Sequence, residues 1–253
     1  MTMMFSSVGG GSLGYKKQIK GIKKSFSPLD VPNLVLWLDA SDQTKINFGI
    51  NPSVSQWDDK SGKNNHAVQP TMINQPTFVT NVQNSKPIIR FDGIQNTMFV
   101  QNLTLPTKMS IFIACKLQDS LNKPFLIEHD TATSLNEFFF YFGNAQLYRE
   151  KRNGLVHDST NIFPWSSSNF SQFSHIYNDG FNLRQNKLDV PLGISAGVPV
   201  PNTNHTSNLY IASRTQTSIF GAVDLGEILI YTRSITSSER DSIENYLSAK
   251  WGI

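Results

Sequence analysis

The segment Met109–Leu117, "MSIFIACKL", alternates Met109, Ile111, Ile113, Cys115 and Leu117 against Ser110, Phe112, Ala114 and Lys116. Successive side chains of a strand point to opposite faces, so a period of two specifies a β-strand with one face committed to a core. Similar short apolar runs recur in "LVLWLDA" (34–40), "KPIIRFDG" (86–93), "PFLIEHD", "EFFFYFGNAQLYRE", "SQFSHIYND", "FNLRQNKLDV", "NLYIASR" and "AVDLGEILIYTRSI", with Gly, Asn and Asp between them. Strands at this spacing, separated by turn residues, predict an all-β chain of antiparallel sheets packed as a sandwich. A length of 253 residues fits one such core without staples. Only the end departs from the pattern. Thr236-Ser237-Ser238-Glu239 has the form of a capping box, Ile243, Tyr246 and Leu247 form an apolar stripe before Trp251, and Gly252 stops the run. A short C-terminal helix laid on the sandwich is expected there.

Charge is distributed unevenly. Lys16, Lys17, Lys20, Lys23 and Lys24 all precede the first acidic residue, Asp30, and removing those five from the formal +3 leaves −2 on the rest. A nearly neutral body argues against a nucleic-acid-binding face on the folded domain. Residues 1–28, a "SSVGGGSLG" tract followed by the lysines, read as an extended N-terminal arm, and residues 29–253 as the domain. Cys115, the single cysteine, precludes an intrachain disulfide and sits in an apolar strand where a buried small hydrophobe is expected. No apolar run has the length of a signal peptide or a membrane span. The sequons at Asn102, Asn169 and Asn204 are then chance matches in an Asn/Thr-rich chain.

Taken in order, "LVLWLDASD" (34–42), "VSQWDDKSGKNNHAVQ" (54–69), "QPTFVTN" (75–81), "KPIIRFDG" (86–93) and "GEILIYTRSITSSERDSIENYLSAKWGI" (226–253) resemble the laminin-G-like branch of the concanavalin A-like lectin/glucanase jelly rolls. The anchors bracket nearly everything after the arm, while 118–205 carries only generic strand patterning. The resemblance implies a jelly-roll sandwich of two curved antiparallel sheets. It also implies fold-defining roles for Trp37, Trp57, Asp59, Ser61, Gly62, Asp92, Gly93 and Trp251, with Trp57 packed inward and Asp59, Ser61 and Gly62 shaping the turn that follows. The superfold hosts lectins, glucanases, adhesion modules and virion proteins, so its name alone assigns no activity.

The cluster "QWDDKSGKNNHA" (56–67) invites an acid/base reading that geometry rejects. Asp58 and Asp59 are neighbours, and neighbours on an extended segment point apart, so they cannot converge on one glycosidic bond. Glucanases of the superfold carry acids at alternate positions of one strand, of the form E-x-D-x-x-E. Here Glu137 and Glu227 lead into apolar runs, and Glu128-His129-Asp130 has no third partner. His66, His129, His157, His175 and His205 are scattered without metal-ligand spacing. No catalytic residues are assigned, and the chain is expected not to be an enzyme. Calcium is the one cofactor left open, through Asp39, Asp42, Asp92 and Asp179 at strand ends, where turn hydrogen bonding is the competing role. For a sugar, the candidates are Trp165, Tyr148 and His157.

These readings lead to a non-enzymatic structural or attachment protein of a large assembly, a virion, where it would serve as a minor capsid or decoration protein. The arm lysines 16, 17, 20, 23 and 24 would touch other subunits, packaged nucleic acid or anionic lipid. The alternative is a carbohydrate-binding adhesion module for cell-surface glycans, and a glycan hydrolase stands third.

Overall fold

In the terminal strand Ala222–Tyr231 all ten residues are buried, which requires cover on both faces and both edges. One edge pairs with Met109–Leu117. The other edge is shared: Ala222 to Leu225 pair with Lys86–Asp92, and Glu227 to Tyr231 with Leu34–Asp39. The hand-over falls at Gly226, where the register slips, and the Gly226 carbonyl accepts the Ala40 N–H at 2.9 Å.

This computed structural model describes residues 24–106, 108–118, 125–130, 138–143, 147–152, 155–159, 169–177, 181–190, 192–194, 204–217 and 219–253, with only the backbone described at 125–126, 130, 138–143, 147–152, 155–159, 177, 181 and 192–194. The described strands form two antiparallel sheets, as the alternation predicts. The eight-stranded sheet runs Leu188–Val190, Phe181–Gln185, Ser171–Tyr177, Met109–Leu117, Ala222–Tyr231, Lys86–Asp92, Thr77–Gln83, with Leu34–Asp39 as the extra partner of the terminal strand. The ten-stranded sheet runs Leu192–Ile194, Leu155–Ser159, Leu147–Arg152, Phe138–Gly143, Phe125–Asp130, His205–Ile211, Met98–Leu105, Ala67–Val68, Val54–Trp57, Ile46–Phe48.

Two apolar layers result. Between the sheets, Leu36, Ile89, Ile113, Ile228 and Ile230 of one meet Val54, Trp57, Val100, Ile127 and Leu209 of the other. The second layer lies on the far side of the eight-stranded sheet, where Trp37, Phe112, Leu229 and Tyr231 pack under Ile243, Leu247 and Trp251 of the helix Ser237–Trp251. That helix begins with the expected capping box: Thr236 accepts the Glu239 N–H and Glu239 accepts the Thr236 N–H. It ends at Gly252 with φ 70°, a left-handed conformation that glycine adopts without steric cost.

The helix explains why position 226 is glycine. Trp251 stacks on Phe170 with centroids 5.4 Å apart, and a Cβ at position 226 would stand 2.9 Å from both rings, inside any normal contact. Sealed by the helix, the outer face of the eight-stranded sheet holds structural groups. The outer face of the ten-stranded sheet has no such cover from the helix.

Candidate functional site

The polar residues of the "LWLDASD", "WDDKSG", "GEILIY" and "AKWG" segments converge beneath the helix. Glu227 is fully buried. Its Oε1 accepts Trp37 Nε1 at 2.7 Å and the Tyr246 hydroxyl at 2.8 Å, and its Oε2 accepts Trp251 Nε1 at 2.9 Å and Lys250 Nζ at 2.8 Å. Lys250 also binds Asp39 at 2.6 Å, and Lys60 bridges Asp39 at 2.7 Å to Asp42 at 2.9 Å. Burial raises the Asp39 carboxyl, but Lys250, Lys60 and Ser41 outweigh it, and the group sits below its ordinary value. For Glu227 burial wins over Lys250, and the carboxyl is raised. Two ammonium groups, Lys60 and Lys250, thus bridge three carboxylates, of which Asp39 and Glu227 are buried.

Asp58 and Asp59 part company. Asp59 is buried and accepts the N–H groups of Trp37 (2.9 Å), Ser61 (2.8 Å) and Asn65 (3.1 Å), plus the Ser61 hydroxyl (2.6 Å). It ties the first strand to the turn, in which Gly62 has φ 81°. Trp57, between the sheets, is fully buried. Asp92 accepts the N–H groups of Ile94, Gln95 and Asn96, with Gly93 at φ 67° completing that turn. Of the calcium candidates, Asp39 and Asp42 are therefore met by lysines and Asp92 by backbone donors; Asp179 lies outside the described residues. Among the described residues, no three His, Cys, Asp or Glu side chains gather as metal ligands. Cys115 is buried, which pushes its thiol up and away from reactivity.

Trp165 and Lys16, Lys17, Lys20 and Lys23 also lie outside the described residues. Tyr148 pairs through its backbone with Phe142 and His157 with Glu150. Lys24 pairs with Asp30 at 2.5 Å, close to where Phe26 packs on Tyr246 with centroids 6.0 Å apart.

The exposed functional groups are on the other side of the molecule. Across the ten-stranded sheet, the pairings Asn47↔Gln56, Gln56↔Val68, Val68↔Phe99, Phe99↔Tyr210 and Tyr210↔Glu128 place one residue per strand in a single row. Trp57, Ala67, Val100, Leu209 and Ile127 alternate with that row and face the core. The row therefore faces outward. Phe99 and Tyr210 are both partly exposed, with ring centroids 6.4 Å apart, and Asn208 donates to the Tyr210 hydroxyl at 3.3 Å.

Each end of the row is polar. At one end Glu128 is fully buried, ion-paired with Arg214 Nε at 3.2 Å and accepting the Thr215 N–H at 3.0 Å. At the other, Asp58 Oδ1 accepts the side-chain amides of Gln56 (2.7 Å) and Asn47 (2.9 Å), with His66 Nδ1 3.5 Å away. Aromatic faces flanked by fixed hydrogen-bonding groups are suited to a ligand with both apolar C–H faces and hydroxyls. Sequence reading missed Phe99 and Tyr210. The signal was local: in "TMFVQ" and "NLYIA" an aromatic residue stands between two aliphatic ones of opposite parity, the outward slot of a strand.

The architecture defines a two-sheet antiparallel jelly-roll β-sandwich. No protein-family model and no curated protein matches the chain. Among solved structures, the binding domain of Paraclostridial Mosquitocidal Protein 1 superposes with TM-score 0.60 at 15% identity, over 86% of this chain and 52% of that one. Domain 4 of AbnA, a GH43 extracellular arabinanase from Geobacillus stearothermophilus, in complex with arabinotriose, gives 0.59 at 9% identity, over 85% of this chain and 98% of that one. Trypanosoma rangeli sialidase gives 0.58 at 14%, over 87% and 33%. The chain thus spans about half of the first and a third of the last. At these identities the likeness is one of fold.

Proposed function

We propose that this chain is a carbohydrate-binding module that holds glycans on the outer face of the ten-stranded sheet without hydrolysing them. The observation that carries this reading is the outward row centred on Phe99 and Tyr210, on the sheet face that the helix leaves open. A sugar ring stacks its C–H face on such a pair, and the neighbouring amides and the Asp58 carboxylate take its hydroxyls. The solved structure of the AbnA domain with arabinotriose supports it by showing a sandwich of this fold bound to a saccharide. Cell-surface glycans are the corresponding partners.

The virion reading has no comparable support. Its tether falls mainly outside the described residues, Lys24 is already paired, and none of the similar structures named above is a virion protein. Among the described residues no helix is long and apolar enough to cross a membrane.

A glycan array with the full chain, followed by calorimetric titration of the best binder, tests the proposal. Phe99→Ala and Tyr210→Ala should each weaken binding by about tenfold, the equivalent of losing one stacked ring. Trp165→Ala run alongside reports on the candidate drawn from sequence. Retention of full affinity in both platform variants would show that the sugar sits elsewhere, and an array without a binder would remove the function.

A further inference from the structure

The Asp58 end of the row carries more organisation than a surface turn needs. Its carboxylate is oriented by two side-chain amides through Oδ1 alone, and its backbone is pinned by donation to the Lys45 carbonyl at 2.7 Å. Oδ2 has no hydrogen-bond partner among the described residues, and the side chain is 23% exposed. Beside it, His66 Nδ1 accepts the Asp59 N–H at 3.1 Å. In a neutral imidazole that bond leaves the proton on Nε2, and the His66 side chain is 33% exposed. An acceptor and a donor, both oriented by bonds to the protein, therefore belong to side chains that approach to 3.5 Å between Asp58 Oδ1 and His66 Nδ1. A sugar hydroxyl, which both donates and accepts, is the group that satisfies the two together.

We infer that Asp58 and His66 form a hydroxyl-reading subsite continuous with the Phe99–Tyr210 platform, so that the face takes a neutral, linear oligosaccharide lying across the strands. This rests on the glycan-binding reading of the face. From the strand Val54–Trp57 to the strand His205–Ile211 there are three inter-strand steps, about 14 Å at ~4.8 Å each, roughly three sugar residues. A single terminal sugar cannot reach from Tyr210 to Asp58. Acidic sugars are disfavoured at this end because the unpaired Asp58 oxygen repels a carboxylate.

The test is titration of the full chain with arabinan, xylan and glucan oligosaccharides from one to six residues, and with a galacturonate trimer as the acidic probe. For the class that binds, affinity should rise about tenfold between disaccharide and tetrasaccharide. Asp58→Ala should abolish that rise and leave the disaccharide within about twofold of the parent. Asp58→Asn keeps the Oδ1 acceptor for Gln56 and Asn47, guards against a folding artefact, and should show the same length-selective loss. Asp58→Lys should admit the galacturonate trimer that the parent rejects. Affinity independent of length, or loss in Asp58→Asn that is equal at every length, overturns the subsite and leaves the platform standing. Silence of the parent chain toward every neutral probe overturns both.

Discussion

Glu227→Ala is expected to lower the melting temperature by about 10 °C, the largest single effect on stability in this account. The carboxylate is the common acceptor for Trp37, Trp251, Tyr246 and Lys250. Its removal strands two indole N–H groups in the interior and leaves Lys250 with only Asp39 and the Tyr246 hydroxyl. Losing one member of a buried charged network costs about 3–5 kcal/mol, and a domain of this size shifts ~2–4 °C per kcal/mol. Glu227→Gln should fall between, because the amide keeps one acceptor oxygen but turns an NH₂ toward the remaining donors. Thermal unfolding followed by circular dichroism measures this. A Glu227→Ala melting point within about 2 °C of the parent would mean that the network does not hold the helix and the first strand to the sheet.

The second large effect belongs to the other end of the helix. Arg240 is 3% exposed, and its guanidinium meets the hydroxyl and carbonyl of Ser174, the Asn182 side chain and carbonyl, and Glu244. Burial lowers its proton affinity. Arg240→Met should cost about 3 kcal/mol, because Glu244, 1% exposed, keeps only a longer contact to Arg184 at 3.4 Å and the Ser174 hydroxyl. The paired change Arg240→Met with Glu244→Leu should recover at least ~1 kcal/mol of that, since an apolar pair leaves no buried charge behind. Chemical denaturation of the three proteins decides it. A double variant weaker than the single one would show that the guanidinium acts through Ser174 and Asn182, with Glu244 incidental.

These two networks account for how much could be read from sequence. The sheets were legible because alternation at Met109–Leu117 and the turn residues between runs are local signals. The helix was legible because its capping box and Gly252 are local too. Sheet order was not. Met109–Leu117 lies beside Ala222–Tyr231, more than a hundred residues on, and nothing in either run encodes the partner. The polar residues of the motif segments could be tied to the fold, but their meeting at Glu227 depends on the bulge at Gly226, which turns Glu227 toward the helix.

The outward row was hidden for the same reason. Gln56, Val68, Phe99, Tyr210 and Glu128 belong to five strands and become neighbours only through register. The sugar candidates drawn from sequence, Trp165, Tyr148 and His157, all came from the middle of the chain, where ring-bearing residues among polar ones are the visible marker of a sugar site. An outward phenylalanine or tyrosine in a strand resembles one more core residue until its face is known. Asp58 was masked by Asp59, since the pair reads as one motif although Asp59 builds the turn and Asp58 faces solvent.

The most direct measurement is a crystal structure of the full chain with the tightest oligosaccharide from the array. Sugar rings are expected over Phe99 and Tyr210, with hydroxyls on Asp58 Oδ2 and His66 Nε2. A ligand seated against the helix face, or bound without touching the outer row of the ten-stranded sheet, would contradict it.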